Sequence, residues 1–195
     1  MRRFRLRTLR VIAIPVVFLA AAMLAPVETS GDESYGVIDG FSDGRWRTEV
    51  SVSTGFHSGR RSRTGDVQVT GNVEYEWPVF ARCTLGLRAY PLFLYKQNDP
   101  NDTLWGGGVG GVGRVYQNAG DRNGWFGEAG AGVIWHTNHI EGNSATMDFL
   151  LEAGVGYQFK NNWHVTLQAS HLSNAGLSDD NAGANSLGLA VGFTF

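Results

Sequence analysis

The stretch DVQVTGNVEYEWP, residues 66–78, alternates between apolar and polar side chains. The apolar residues at its odd positions are Val67, Val69, Val73, Tyr75 and Trp77. Successive side chains of a β-strand point to opposite faces, so a period of two predicts a strand that lies between two different environments. The fold then depends on which of the two faces meets water.

The same alternation recurs along the rest of the chain. After residue 44 we identify eight segments of roughly 10–15 residues with strand character. They span 45–57, 66–78, 83–96, 103–117, 124–138, 146–159, 163–173 and 186–195. Pro91 lies inside the third segment and predicts a bulge or an edge-like irregularity there, because proline lacks the N–H that a strand ladder needs. The pattern therefore predicts an all-β protein with eight antiparallel strands.

Two architectures fit this pattern. A soluble sandwich or barrel buries its apolar face, whereas a transmembrane barrel turns that face outward and keeps polar side chains in its lumen. The segments are as long as tilted membrane strands. Their polar face carries charges of both signs and many of the 27 glycines, which suits the narrow interior of eight strands. Trp and Tyr cluster near segment ends, as in interfacial girdles. They are Trp46, Trp77, Tyr95, Trp105, Trp125, Trp135 and Trp163. The sequence thus predicts an eight-stranded antiparallel transmembrane β-barrel of a bacterial outer membrane, and its final residue, Phe195, resembles the terminal aromatic signature of such barrels.

The N-terminus has a different character. Five arginines lie within the first ten residues, and the apolar run VIAIPVVFLAAAML follows at 11–24. This order predicts a secretory signal peptide over residues 1–25, extending to about residue 31 if the cut is later. The run is shorter than the roughly 20 residues of a spanning helix, which disfavours the alternative of a membrane anchor. Residues 26–44 are predicted to be a periplasmic lead-in to a barrel over 45–195.

Charge and cysteine content narrow the function classes. Cleavage near Ala25 removes five of the 16 basic residues and none of the 18 acidic ones. The remaining chain lacks the basic balance of a nucleic-acid-binding protein. Cys83 is the only cysteine, so an internal disulfide is excluded.

Polar residues interrupt the apolar series at the end of the seventh segment. His171 and Ser173 follow Val165 and Leu167 at the same parity, so they are predicted to face lipid. Both termini of an eight-stranded outer-membrane barrel lie in the periplasm, which places the odd-to-even connections outside. These are about 58–65, 97–102, 139–145 and 174–185. His171 and Ser173 then lie near the outer rim, and extending the eighth segment backwards brings Asn185 to the same patch.

A serine beside a histidine is the minimum for nucleophilic acyl transfer. The hydroxyl needs an adjacent base, and a third group must hold the imidazole in the right tautomer. Asn185 can accept the imidazole N–H but lacks the charge of a carboxylate. Asp179 and Asp180 are alternative acids from the same connection. The plain alternative is a polar strand end that enters a loop.

The C-terminal segment resembles a known family. HLSNAGL at 171–177, followed by NAGANSLGLAVGFTF at 181–195, is similar to the PagL-type lipid A 3-O-deacylases of Gram-negative outer membranes. A looser likeness extends to LEAGVGYQF at 151–159 and to the eight-strand plan. The motif that carries the resemblance is H-x-S-N-A followed by N-x-G.

The resemblance implies roles for individual residues. His171 would be the general base, Ser173 the nucleophile and Asn174 a member of the oxyanion hole. The acid of the family is a glutamate fourteen residues after the histidine, and here that position is Asn185. The chain therefore departs from the family at the third member of the triad.

The resemblance also implies the reaction. It is that of a carboxylic ester hydrolase that releases the ester-linked 3-hydroxyacyl chain from position 3 of lipid A in lipopolysaccharide, without a metal or organic cofactor. A substrate in the outer leaflet would explain a polar site on a lipid-facing wall. Arg60, Arg61 and Arg63 in the first external connection are predicted phosphate contacts, the alternative being a solvated basic loop. A homodimer is compatible with the sequence.

Other constellations give weaker signals. His136, His139 and Glu141 lack the spacing of a metal site, and the glycines at 106–113 lack the Lys-Ser/Thr ending of a phosphate loop. The rival functions are a non-enzymatic barrel, with a structural, adhesion or narrow-pore role, and an inactive family member that has lost its acid.

Overall fold

The computed structural model describes residues 37–58 and 61–195. Its strands are β1 Arg45–Phe56, β2 Val67–Pro78, β3 Cys83–Gln97, β4 Asp102–Tyr116, β5 Gly124–His136, β6 Met147–Gln158, β7 Trp163–Ser173 and β8 Ala184–Thr194. Each strand pairs with the next, and β8 pairs antiparallel with β1 to close a barrel. The predicted eight-stranded antiparallel barrel is confirmed. No helix in these two ranges is long and apolar enough to cross a membrane.

The N-terminal predictions fall largely outside the described residues. The signal peptide predicted at 1–25 lies there, as does most of the lead-in predicted at 26–44. The described end of the lead-in contains a short 3-10 helix, Asp39–Asp43. Its Phe41 packs against Tyr75 and Trp77 of β2, with ring centroids 4.8 and 5.1 Å apart. These contacts hold the end of the lead-in against the outside of the barrel.

The outward face of the barrel is apolar. Leu87 is 61% exposed and Leu189 is 59% exposed, although each lies in the middle of a strand. Other exposed residues of this face are Val50, Val52, Val109, Val155, Leu167 and Val191. A soluble barrel would bury such residues, because a continuous apolar surface of this kind is unfavourable in water. The outward apolar face agrees with the prediction of a membrane barrel and disfavours the soluble alternative.

The lumen is filled with polar and charged side chains. The buried members of this set include Arg47, Glu49, Glu74, Glu76, Arg88, Arg114, Glu128, Glu152 and His164. Oε2 of Glu74 accepts from Nε of Arg88 at 2.9 Å and from Nη2 of Arg114 at 2.9 Å. Nε of Arg114 also donates to Glu128 at 2.7 Å. Charges of both signs therefore pair inside the barrel, and a lumen filled in this way argues against the narrow-pore alternative.

Glycines make room for these pairs. A Cβ atom at Gly86 would lie 2.4 Å from Oε1 of Glu74, and one at Gly192 would lie 2.3 Å from Nε2 of His164. Any side chain at either position would displace a buried polar group. This crowding explains the high glycine content of the inward face.

A bulge at Pro91 changes which side chains of β3 face the lumen. The register with β4 shifts between Tyr90 and Phe93, which confirms the predicted bulge. Even-numbered side chains point inward before the bulge and odd-numbered ones after it. Tyr95 is therefore buried, and its hydroxyl donates to Asp66 at 2.8 Å. The prediction that Tyr95 belongs to an interfacial girdle is wrong.

Five tryptophans near strand ends are about half exposed, as a girdle requires. They are Trp46, Trp105, Trp125, Trp135 and Trp163. Trp77 differs from them because Phe41 covers it, leaving it only 7% exposed. The girdle prediction holds for the five and fails for Trp77.

Four connections gather at one end of the barrel, which we call the loop rim. They are 57–66, 98–101, 137–146 and 174–183. The third and fourth are joined by a bridge between Asn143 and Asn181 and by a hydrogen bond between the hydroxyls of Ser144 and Ser178. The ends of β7 and β8 that carry the conspicuous polar residues therefore lie beside a cross-linked set of loops.

Candidate active site

His171 and Asn185 meet on the outside of the barrel at the loop rim. They are direct partners in the ladder between β7 and β8. Both have the parity of Leu167 and Leu187, which point outward. Nδ1 of His171 lies 2.6 Å from Oδ1 of Asn185, a strong hydrogen bond. The convergence predicted from parity is thus present in the structure.

A second contact fixes the orientation of the Asn185 amide. Its Nδ2 donates to the carbonyl oxygen of His57 at 3.3 Å, so its Oδ1 is the atom that faces the imidazole. An amide oxygen can only accept a hydrogen bond, which requires the proton of the neutral imidazole to sit on Nδ1. Nε2 of His171 then carries the free lone pair. This is the tautomer that a general base needs.

Ser173 lies on the same outward face, two residues beyond His171. It is partly exposed and pairs with Phe149 of β6. Ser173 and His171 both lie in the described part of the chain, and no hydrogen bond joins the Ser173 hydroxyl to the His171 imidazole. Such a bond often forms fully only in the complex with substrate. Ser173 is therefore partly accessible, and its side chain points to the same side of β7 as that of His171, two residues earlier.

Asn174 is a structural residue of the loop rim. Its side chain is fully buried, and Nδ2 donates to Oδ1 of Asn143 at 2.7 Å and to the carbonyl of Asp180 at 2.8 Å. Its Oδ1 accepts from the N–H of Gly176 at 2.9 Å. Both amide protons are therefore already donated. This arrangement does not support the expected oxyanion role for the Asn174 side chain.

Asp179 and Asp180 do not reach the imidazole. Both are exposed, and Asp180 makes its contacts through its backbone, which binds Asn174 and Ser144. Neither carboxylate hydrogen-bonds His171 in the described part of the chain. Of the three candidates for the third member, the structure places only Asn185 beside the histidine.

The three arginines of the first connection have different surroundings. Arg60 lies outside the described residues. Arg61 is about one-third exposed, and its Nη1 lies 3.2 Å from Oε1 of Glu141. Arg63 is 1% exposed, and both Nε and Nη2 donate to the carbonyl of Gly183, at 3.1 and 2.8 Å. The predicted phosphate contact is wrong for Arg63, because a buried and fully engaged guanidinium cannot meet a lipid headgroup.

Sequence reasoning missed a buried polar chain behind the site. Nε2 of His136 lies 3.1 Å from Asp148, and the other oxygen of Asp148 accepts from Asn143 at 2.6 Å. Asn143 in turn accepts from Asn174, the neighbour of Ser173. The contact between Asn143 and Asn174 joins two separate connections, so no local spacing in the sequence could indicate it. His136 is thus part of this series of hydrogen bonds. Its side-chain partner is Asp148, not His139 or Glu141, with which it was considered as a metal site.

Comparison with known proteins adds a family to this geometry. Residues 63–194 match the family model described as lipid A 3-O-deacylase (PagL). A curated relative, the lipid A deacylase PagL of Pseudomonas aeruginosa, is 35% identical over 103 residues. That alignment covers 47% of this chain. The chain spans 60% of the length of the curated relative it matches.

The fold is also found among solved structures. The crystal structure of the outer membrane enzyme PagL superposes with a TM-score of 0.59 at 24% identity, covering 74% of this chain and 98% of that chain. At this identity the likeness establishes the barrel architecture. The family model extends over most of the chain and includes both the histidine–serine pair and Asn185. The chain therefore belongs to the PagL family of lipid A 3-O-deacylases.

Proposed function

We propose that this protein hydrolyses the ester bond of the 3-O-linked hydroxyacyl chain of lipid A, with Ser173 as the nucleophile and His171 as the base. The observation that carries the proposal is the 2.6 Å hydrogen bond between His171 and Asn185 on the outward wall, two residues before an accessible serine. Family membership supports the substrate, and the description of the solved relative as an outer membrane enzyme supports the location.

The reaction follows from the tautomer of His171. Nε2 takes the proton of the Ser173 hydroxyl while Oγ bonds to the ester carbonyl carbon. When the bond between that carbon and the sugar oxygen breaks, the imidazolium returns the proton to the sugar oxygen, leaving an acyl-serine. Water then attacks the acyl carbon while the same nitrogen takes its proton. The imidazolium returns that proton to Oγ as the bond between the acyl carbon and Oγ breaks, which frees the 3-hydroxy fatty acid and restores the Ser173 hydroxyl. Asn185 holds the ring throughout by its Oδ1.

The direction of the site suits a lipid substrate. With the loop rim outside the cell, the patch around Ser173 would lie at the level of the outer leaflet, where the acyl chains of lipid A are found. The ester would reach the serine sideways, from the bilayer. Arg61 is partly exposed at the same rim and could exchange its Glu141 partner for a lipid A phosphate.

Whole-cell lipid analysis tests this proposal. The chain is expressed in a Gram-negative host whose lipid A retains its 3-O-acyl group, and the lipid A is weighed by mass spectrometry. We expect the loss of one hydroxyacyl chain, and no loss with the Ser173→Ala variant. Identical lipid A from both proteins, each shown to be folded and inserted, would contradict the proposal and favour a non-enzymatic barrel or an inactive family member.

The amide at position 185 is expected to limit the rate. In the Asn185→Glu variant a carboxylate would accept the Nδ1 proton and stabilise the imidazolium, a charge-assisted bond about twice as strong as a neutral one. We expect kcat to rise about tenfold, which corresponds to roughly 1.4 kcal/mol in the barrier.

The matched control is Asn185→Gln, which has the length of glutamate without its charge. We expect no gain from this variant, and some loss where the longer amide no longer donates to the carbonyl of His57. Equal values of kcat for the Glu and Gln variants in purified protein would show that charge at this position is irrelevant to catalysis.

A further inference from the structure

Three residues of the first connection, 57–66, form hydrogen bonds to the segment at the start of β8. The carbonyl of His57 orients the amide of Asn185, and the hydroxyl of Ser58 donates to the carbonyl of Ala182 at 3.2 Å. Arg63 donates twice to the next carbonyl, that of Gly183. Residues from a connection more than a hundred positions away in sequence therefore fix the start of β8.

Gly183 links the arginine to the catalytic histidine. It has a φ of +65°, a left-handed conformation that favours glycine. A Cβ atom at this position would lie 3.1 Å from Cε1 of His171 and 3.4 Å from the hydroxyl of Ser58. Gly183 thus lies beside the imidazole ring, and a side chain at this position would press on the ring. A shift of this backbone would move the ring or the start of β8.

The guanidinium is itself held firmly. Nη2 also donates to the carbonyl of Glu141 at 2.7 Å, and Nη1 lies 3.9 Å from the carboxylate of Asp66. That carboxylate accepts from the hydroxyl of Tyr95 and from the N–H of Asn98, both at 2.8 Å. Arg63 therefore contacts the third and fourth connections of the loop rim directly, and Asp66 links it to the second. A planar fork can serve two carbonyls at once, which a lysine cannot do with the same geometry.

From these contacts we infer that Arg63 is a positioning residue for the reaction: it fixes the Gly183 backbone against His171 and so holds the base in register with Ser173. The inference rests on the proposed function. It assigns Arg63 to the rate of the chemical step and gives it no part in binding the lipid headgroup.

Labelling of Ser173 by a fluorophosphonate tests this inference without lipid A. The reagent reacts with an activated serine, and the observed rate constant reports activation per folded molecule, whereas the amplitude reports how many molecules are folded. Folded barrels are scored independently by their heat-dependent migration in gels. We expect the Arg63→Met variant to label about 100-fold more slowly than the wild type at an amplitude close to its folded fraction, since small misplacements of catalytic groups cost rates of this order.

Three further variants make the result specific. Arg63→Lys should recover part of the rate by binding one carbonyl. Gly183→Ala keeps the guanidinium but pushes a methyl group towards Cε1 of His171, so it should also slow labelling. Arg82→Met, in the turn between β2 and β3 at the opposite end of the barrel, should label like the wild type. With lipid A, the Arg63 variants should lower kcat and leave KM nearly unchanged.

The outcomes distinguish the positioning role of Arg63 from the proposed role of Ser173 as nucleophile. If the wild type labels at Ser173 and Arg63→Met has the same rate constant, or loses amplitude alone, Arg63 is only a folding residue and the inference is wrong. A rise in KM at constant kcat would instead assign Arg63 to headgroup binding and also overturn it. If folded wild-type protein does not label at Ser173, the proposed nucleophile fails, and the inference fails with it.

Discussion

Replacing Ser173 with alanine is expected to lower the turnover of lipid A by about 10⁴-fold or more, the largest effect we anticipate for this protein. The substitution removes the atom that bonds to the ester carbon, and nucleophile deletions in serine hydrolases have losses of this size. The barrel should be unaffected, since the Ser173 hydroxyl makes no hydrogen bond within the described residues. Release of the 3-hydroxy fatty acid from purified lipid A in mixed micelles measures the effect.

The pairing of base and nucleophile has a sharper test in combination. His171→Ala should be nearly as slow as Ser173→Ala. The double variant should be no slower than either, because the rate losses of residues that act as one unit are not additive. Losses that multiply in the double variant would mean that the two side chains act independently. The exposed Leu187→Ala change on the same wall gives a control for altered lipid contact.

Arg114→Met is expected to have the largest effect on stability, a loss of about 3–5 kcal/mol in the free energy of unfolding. Arg114 is 2% exposed and binds Glu74 and Glu128 inside the lumen. Removing the cation leaves two buried carboxylates without part of their compensation, which costs far more than replacing a whole ion pair by apolar groups. Urea unfolding in lipid vesicles, followed by tryptophan fluorescence, measures the shift in midpoint.

A second substitution distinguishes charge from packing. Adding Glu74→Gln to Arg114→Met removes one of the stranded carboxylates and should restore part of the lost stability. Arg82→Met, outside the lumen cluster, should leave the midpoint unchanged. If the double variant were less stable than the single one, the loss would come from packing volume and not from unpaired charge.

Strand periodicity predicted the barrel and two members of the site because both depend on backbone geometry alone. The period of two determines which residues share a face, and antiparallel pairing then brings His171 opposite Asn185. The same reasoning failed for Tyr95, since the bulge at Pro91 inverts the parity of everything beyond it on β3. The bulge itself was predictable from the proline, but its effect on the later side chains required the register.

The loop rim could not be predicted in the same way. Arg63 lies in a basic stretch that resembles a solvated loop, yet it is buried by contacts with carbonyls of two distant connections. Asn174 follows the nucleophile in sequence, yet its amide is committed to Asn143 and Asp180. Loops lack a periodic pattern, and their hydrogen bonds depend on which connections the closed barrel brings together.

The outward direction of the His171–Asn185 pair has a kinetic consequence. The lumen is occupied by charged side chains, so in the proposed reaction the substrate arrives by lateral diffusion within a leaflet and never from bulk solution. Turnover would then follow the mole fraction of lipid A in the surface, and adding inert lipid at a constant total amount of substrate would slow it as a competitor does. Such an enzyme obeys surface-dilution kinetics, and its KM is properly expressed as a mole fraction of lipid A in the leaflet.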